Sequence, residues 1–115
     1  MIVRNLESEE VQARWYRAHN EGSATMLFDS SELQGLLFFA YAILNPGKEL
    51  EAHIDPYEEI YYILKGESLM MVGGDEQQVK TGDAIWIPIG VPHSMRNNSS
   101  EDCFVLVSAA FPRGY

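Results

Sequence analysis

From Ala24 almost to the C-terminus, apolar positions come in short runs, several of them alternating with polar ones, and each run is closed by Gly, Pro, Asn or Asp. A period of two sends successive side chains to opposite faces of a strand. The pattern therefore predicts strands near Thr25–Phe28, Leu36–Leu44, Leu50–His53, Glu59–Leu64, Ser68–Val72, Glu76–Val79, Ala84–Ile87, His93–Asn97 and Phe104–Ala109. Between them lie turn signals such as Asn45-Pro46-Gly47, Lys65-Gly66 and Thr81-Gly82-Asp83, and Gly73-Gly74 before Asp75 reads as a hairpin. Ser8 to Ala18 mixes charged residues with Val11, Ala13, Trp15 and Tyr16 and fits a short helix or an irregular arm. Many short strands with regular turns make an all-β sandwich or barrel. Two runs, Leu36 to Phe39 and Cys103 to Val107, are apolar on both faces. Such strands are covered on both sides, by a second layer or by another subunit, so a homodimer is expected.

Composition narrows the class. At 115 residues and 46% hydrophobic, the chain is the size of one domain with enough apolar material for its own core. Seventeen acidic against eight basic side chains give a formal charge of −9, which opposes a nucleic-acid partner. The longest apolar run, Leu36 to Leu44, falls far short of the ~20 residues that span a bilayer. No membrane partner is expected, and the chain is placed in the cytoplasm. Cys103 is the only cysteine, which rules out an intrachain disulfide and reads as a small apolar strand residue.

The chemistry gathers in two blocks. In the first, Gly47 to Gly66, His53 and Asp55 sit two apart in an extended stretch and so point the same way. Glu59 opens the next strand, with Tyr61 on its face and Glu58 turned away. In the second, Gly82 to Asn97, a Pro/Gly loop from Pro88 to Pro92 reverses the chain and His93 starts a strand, with Met95 and Asn97 on its face and Arg96 opposite. Imidazole nitrogens and carboxylate oxygens suit Mn, Fe, Co, Ni, Cu or Zn, and two His with one carboxylate leave positions open for water or substrate. His19 reads as an ordinary surface or loop histidine, and Phe38, Phe39, Tyr41, Tyr61, Tyr62 and Trp86 as core filling ahead of the lining of a substrate pocket, with Tyr61, on the face of Glu59, the one to watch.

The two blocks resemble the signature motifs of the cupin superfamily, in its small conserved-barrel form. The second matches G-x5-P-x-G-x2-H-x3-N through Gly82, Pro88, Gly90, His93 and Asn97. The first matches G-x5-H-x-H-x3-E-x6-G at Gly47, His53, Glu59 and Gly66, but Asp55 stands where the family usually has its second histidine. The resemblance implies a single jelly-roll domain over residues 1–115, a double-stranded β-helix. It also implies one divalent ion (Mn, Fe, Ni, Zn or Co) held by His53, Glu59 and His93. Asp55 is then a fourth ligand favouring harder metals, a supporting or acid/base group behind the ligands, or simply a turn residue before Pro56.

Among small cupins this implies a metal-dependent enzyme acting on a small organic molecule, as an isomerase, lyase, decarboxylase or dioxygenase, with Asp55 or Tyr61 moving a proton. Fold and ligands do not choose among these reactions. The alternatives are a binding or sensor module that captures a small ligand or a metal, and a barrel that has lost its ion and keeps a buried polar network. A further reading takes His53, Asp55 and His93 as the H-x-D…H triad of a 2-oxoglutarate oxygenase. The short chain opposes it, as does the shortage of a basic clamp, since only Arg96 and Arg113 follow His93.

Overall fold

The computed structural model describes residues 1–111. One helical turn, α1 (Glu9–Gln12), precedes ten strands: β1 (Tyr16–Ala18), β2 (Gly22–Phe28), β3 (Leu36–Leu44), β4 (Glu49–His53), β5 (Glu59–Lys65), β6 (Glu67–Val72), β7 (Asp75–Lys80), β8 (Ala84–Ile87), β9 (His93–Arg96) and β10 (Cys103–Ala110). They form a six-stranded sheet in the order β1-β2-β3-β10-β5-β8 and a four-stranded sheet in the order β4-β9-β6-β7. From β3 onward the chain passes repeatedly between the two sheets, and every pairing is antiparallel. This is the jelly-roll barrel expected from the sequence.

The stretch from Ser8 to Ala18, expected as a short helix or an irregular arm, forms one helical turn and then a strand that the sequence pattern does not predict. The Ser8 hydroxyl caps α1 by accepting from the Val11 amide at 3.3 Å, and Val11 is fully buried, its carbonyl accepting from the Thr25 hydroxyl. Past Trp15 the chain pairs with the free edge of β2, Tyr16 opposite Ala24 and Ala18 opposite Gly22. The reversal uses His19 and Asn20, both at positive φ (46° and 77°). That conformation is rare outside glycine, and His and Asn are among the residues that tolerate it. Short-range patterning gives no sign of β1, because a three-residue strand is too brief to show a period.

Cross-strand register explains where the barrel is solid and where it is hollow. On the inner face, Leu44 lies opposite Cys103, and Leu50 opposite Met95, with Ile63 and Met70 completing a filled end. Further along, Ala42 lies between Ala24 and Val105, and Ala40 between Met26 and Val107. Alanines where the other end has leucine and methionine leave space, and Glu59 and Tyr61 of β5 face that same end.

The two outer faces differ. On the four-stranded sheet, Glu49, Glu51, Gln78, Lys80 and Arg96 face outward, as a solvated sheet should. On the six-stranded sheet, the outward row Tyr41, Leu106, Tyr62 runs unbroken across β3, β10 and β5, and Ile60 pairs with Trp86 beside it. The N-terminal segment covers only the β2–β3 side of this face, where Trp15 meets Tyr41 edge-on at 6.0 Å. Among the described residues, no helix is long and apolar enough to cross a membrane.

Candidate metal centre

Four side chains converge at the hollow end of the barrel, three delivered by strand ends and one by the loop between β4 and β5. His53 is the last residue of β4 and His93 the first of β9, paired opposite one another across the two strands. The His53 Nδ1 lies 2.8 Å from the Glu51 carbonyl and the His93 Nδ1 3.0 Å from the Val91 carbonyl. A carbonyl only accepts, so each Nδ1 carries the proton and each Nε2 presents a lone pair when the ring is neutral. Glu59 opens β5 and is 4% exposed. Asp55 sits in the β4–β5 loop, where its backbone carbonyl accepts from the Gly90 amide at 3.0 Å and ties the two motif loops together.

The ligand-type atoms are close. His53 Nε2 lies 3.2 Å from Asp55 Oδ2, His93 Nε2 3.5 Å from the same oxygen, and His93 Nε2 3.4 Å from Glu59 Oε1. All four atoms fall within 4.8 Å of one another. Ligand bonds of about 2.0–2.2 Å imply neighbours roughly 3 Å apart and opposite ligands about 4.4 Å apart, so the cluster has the dimensions of one coordination sphere. More telling, His53 Nε2, Asp55 Oδ2, Glu59 Oε1 and His93 Nε2 are all buried atoms that make no hydrogen bond. Buried polar atoms are nearly always partnered. Four unpartnered ones aimed at a single point, two nitrogen lone pairs and two carboxylate oxygens, fit a cation. They fit a self-satisfied polar network poorly.

The electrostatics of the unliganded cluster follow from burial. Burial pushes the Glu59 carboxyl up to about 7, with the neighbouring Asp55 adding to the shift and His93 opposing it. Burial pulls the His93 imidazole down, but Glu59, the Val91 carbonyl and Asp55 together outweigh it and leave its pKa raised. Burial also drives the phenols of Tyr57 and Tyr61 upward, reinforced by Asp55 and Glu59, so both keep their protons at neutral pH.

Of the residues singled out from sequence, His53, Asp55, Glu59 and His93 are brought together, with Asp55 Oδ2 within 3.5 Å of both imidazole Nε2 atoms. Tyr61 lies alongside, 3% exposed, its ring edge-on to His93 at 6.2 Å. Arg96 faces outward and is exposed, as parity required, while Arg113 lies outside the described residues. Trp86 and Tyr62 are on the outside of the barrel rather than in its core, 62% and 42% exposed.

Two neighbours of the site escape a reading by motif. The ring of His19 stacks on that of His53 with centroids 3.5 Å apart and planes 10° from parallel, so it is more than an ordinary loop histidine. Burial and the neighbouring His53 lower its pKa. Nothing local in the sequence announces this contact, because it depends on β1 folding back beside β4. Tyr57 does carry a signal, since it shares odd-number parity with Glu59 and Tyr61, but it precedes the strand. Together with Tyr16, Glu59 and Tyr61 these residues border a cavity of about 350 Å³ reaching inward to Ala40 and Ala42.

Residues 40–109 match the family described as the cupin domain. The chain belongs to the cupin family. This cupin is 37% identical over 65 residues to an oxalate-binding protein of Thermotoga maritima, covering 56% of this chain and 54% of that protein. It is 34% identical over 62 residues to a 3-hydroxyanthranilate 3,4-dioxygenase of Bacillus cereus, covering 50% of this chain and 35% of that one. The matches span about half or less of the length of these curated relatives. Among solved structures, one described as a predicted oxalate decarboxylase from Thermotoga maritima superposes with a TM-score of 0.78 at 28% identity, covering 96% of this cupin and 99% of that chain. A cupin 2 conserved barrel domain protein from Salinispora arenicola reaches a TM-score of 0.80 at 19% identity, over 96% and 89% of the two chains, a likeness of fold alone.

Proposed function

We propose that this cupin is a metal-dependent enzyme acting on a small organic molecule, with one divalent transition ion held by His53, Asp55, Glu59 and His93. The observation that carries the reading is the set of four converging, buried, unpartnered ligand atoms. When bound, the ion supplies Lewis acidity to a substrate oxygen and, if it is Fe or Mn, a redox centre. The remaining work belongs to the chain. The Glu51 and Val91 carbonyls hold the two imidazoles in the metal-binding tautomer. Tyr61 and Tyr57, kept protonated, are hydrogen-bond donors beside the substrate. Asp55 serves as a ligand, which leaves the proton-moving role to Tyr61. The cavity beside Glu59 is within the ~300–1,000 Å³ range of small-molecule sites.

Turnover tests this reading. Metal-reconstituted protein offered a panel of sugar, keto-acid and catechol substrates should convert one of them, and chelation should abolish the conversion with re-addition of the ion restoring it. Activity that survives complete chelation would contradict the proposal. The relative named an oxalate-binding protein favours a second reading, capture without conversion. Stoichiometric binding with no product over many hours would support that one instead.

We also propose a second copy of the chain as partner, seated on the outer face of the six-stranded sheet. Ile60, Tyr62, Leu64 and Trp86 are 49%, 42%, 38% and 62% exposed there. With aromatic side chains presenting about 150–250 Å² each and aliphatic ones less, these exposed fractions amount to roughly 300–450 Å² of apolar surface. That lies within the ~300–600 Å² patch that is often functional on a monomer and is about half of the ~800 Å² that one partner gives to a standard interface.

A further inference from the structure

We propose that the cavity beside the metal centre takes a single aromatic ring bearing oxygen substituents, a phenol- or catechol-like molecule, in preference to a small dicarboxylate such as oxalate. The inference rests on the metal-site reading above and adds the substrate class. Charge and shape both carry it.

The charge argument starts at Asp55. Two neutral imidazoles and two carboxylates around a divalent ion sum to zero, whereas a histidine at position 55 would leave the same centre at +1. A neutral centre offers no excess positive charge to a dianion. Its surroundings supply little, since the exposed Arg17 is the one arginine or lysine among the residues bordering the cavity and the chain as a whole carries −9. An oxalate dianion entering here would give up its hydration with only that one solvent-exposed cation to offset it. A neutral or singly charged phenol gives up far less.

The shape argument comes from the inner face of the six-stranded sheet. Ala24, Ala40 and Ala42 border, together with Glu59 and Tyr61 of the same sheet, a volume of about 350 Å³, and a dry cavity of ~150 Å³ is enough for a benzene ring. Four aromatic rings are part of its lining: Phe38 and Tyr57, which meet edge-on at 5.8 Å, and Tyr16 and Tyr61. Aromatic walls contact a flat ring favourably, edge-on or offset. The phenolic oxygens of such a ligand would be directed to the Glu59 end, where the four ligand atoms converge.

The test uses the full chain loaded with Zn2+, which binds without redox turnover, titrated separately with 4-nitrocatechol, followed by absorbance, and with oxalate, followed by calorimetry. The nitrocatechol should bind at least tenfold tighter than oxalate. Ala42→Leu, which fills the cavity, should weaken nitrocatechol at least tenfold while metal content stays at one ion per chain. Asp55→His should shift the preference at least tenfold toward oxalate, and it keeps the question decidable if Ala42→Leu does not fold. Equal or tighter oxalate binding by the wild type, or a preference unmoved by Asp55→His, would overturn the inference while leaving the metal site standing. A chain that takes up no metal would overturn the metal-site reading and this inference with it.

Discussion

Asn97 illustrates how a motif residue can be structural rather than chemical. It is fully buried, its Nδ2 donates to the carbonyls of Leu44 (2.8 Å) and Glu101 (2.7 Å), and its Oδ1 accepts from the Ser99 amide (3.0 Å) and hydroxyl (2.7 Å). Asn97→Ala would leave two carbonyls without this donor, and urea unfolding should register a loss of about 2–4 kcal/mol with metal content unchanged. Glu59 makes the opposite case. In the metal-free protein its pKa near 7 means the folded chain holds a proton that the unfolded chain has lost above the ordinary value of 4.5. The raised His93 acts in the same direction from the ordinary imidazole value of 6.5 upward. Stability of the metal-free fold therefore falls as pH rises from about 4.5 through about 7. An ion must displace these protons. The melting-temperature gap between Zn2+-loaded and metal-free protein should widen from about pH 5 to about pH 8, and a gap constant across that range would contradict the assignment of Glu59 as a ligand. At this scale the sequence was informative wherever spacing fixed a side chain, as for His53, Glu59 and His93. It was silent on His19, whose partner is set by tertiary folding.

Glycines at strand ends separate a conformational requirement from a packing one. Gly66, between β5 and β6, has φ +100° and a Cβ there would lie 2.6 Å from the Asp102 carbonyl oxygen and 2.9 Å from the Cys103 Cα, both backbone atoms. Gly82, before β8, has φ +91° with open space around it. Gly82→Ala should cost about 1–2 kcal/mol from backbone conformation alone. Gly66→Ala should cost clearly more, because β10 must move away. Equal losses in denaturant unfolding would contradict this. The strands themselves were largely legible, since the period-two pattern and the turn residues located nine of them to within a few positions. Their ends shifted where pairing partners decide the extent, as in β2, which starts at Gly22 because β1 pairs with it.

For the whole molecule, the all-β class was readable from the short strands and their turns and the jelly roll from the resemblance to the cupin motifs, but the order of strands in the sheets was not legible. That β10 lies between β3 and β5 follows from packing of inner faces across distant segments, which no local pattern encodes. The two runs apolar on both faces, Leu36 to Phe39 and Cys103 to Val107, lie on β3 and β10 of the six-stranded sheet, whose outer face also carries the exposed Ile60, Tyr62, Leu64 and Trp86. If a second copy covers it, sedimentation equilibrium at micromolar concentration should give a dimer, and Tyr62→Glu with Trp86→Glu should give a monomer that retains its ion. A monomeric wild type would remove the proposal. Everything proposed about chemistry depends on whether an ion sits where His53, Asp55, Glu59 and His93 converge, and this can be read by elemental analysis of protein purified without added metal. Wild type should carry close to one transition ion per chain, and folded His53→Ala and His93→Ala variants should each lose most of it. Wild type free of metal even after incubation with Mn2+, Fe2+, Co2+, Ni2+ or Zn2+, or variants that hold as much as wild type, would show that this cluster is not a metal centre.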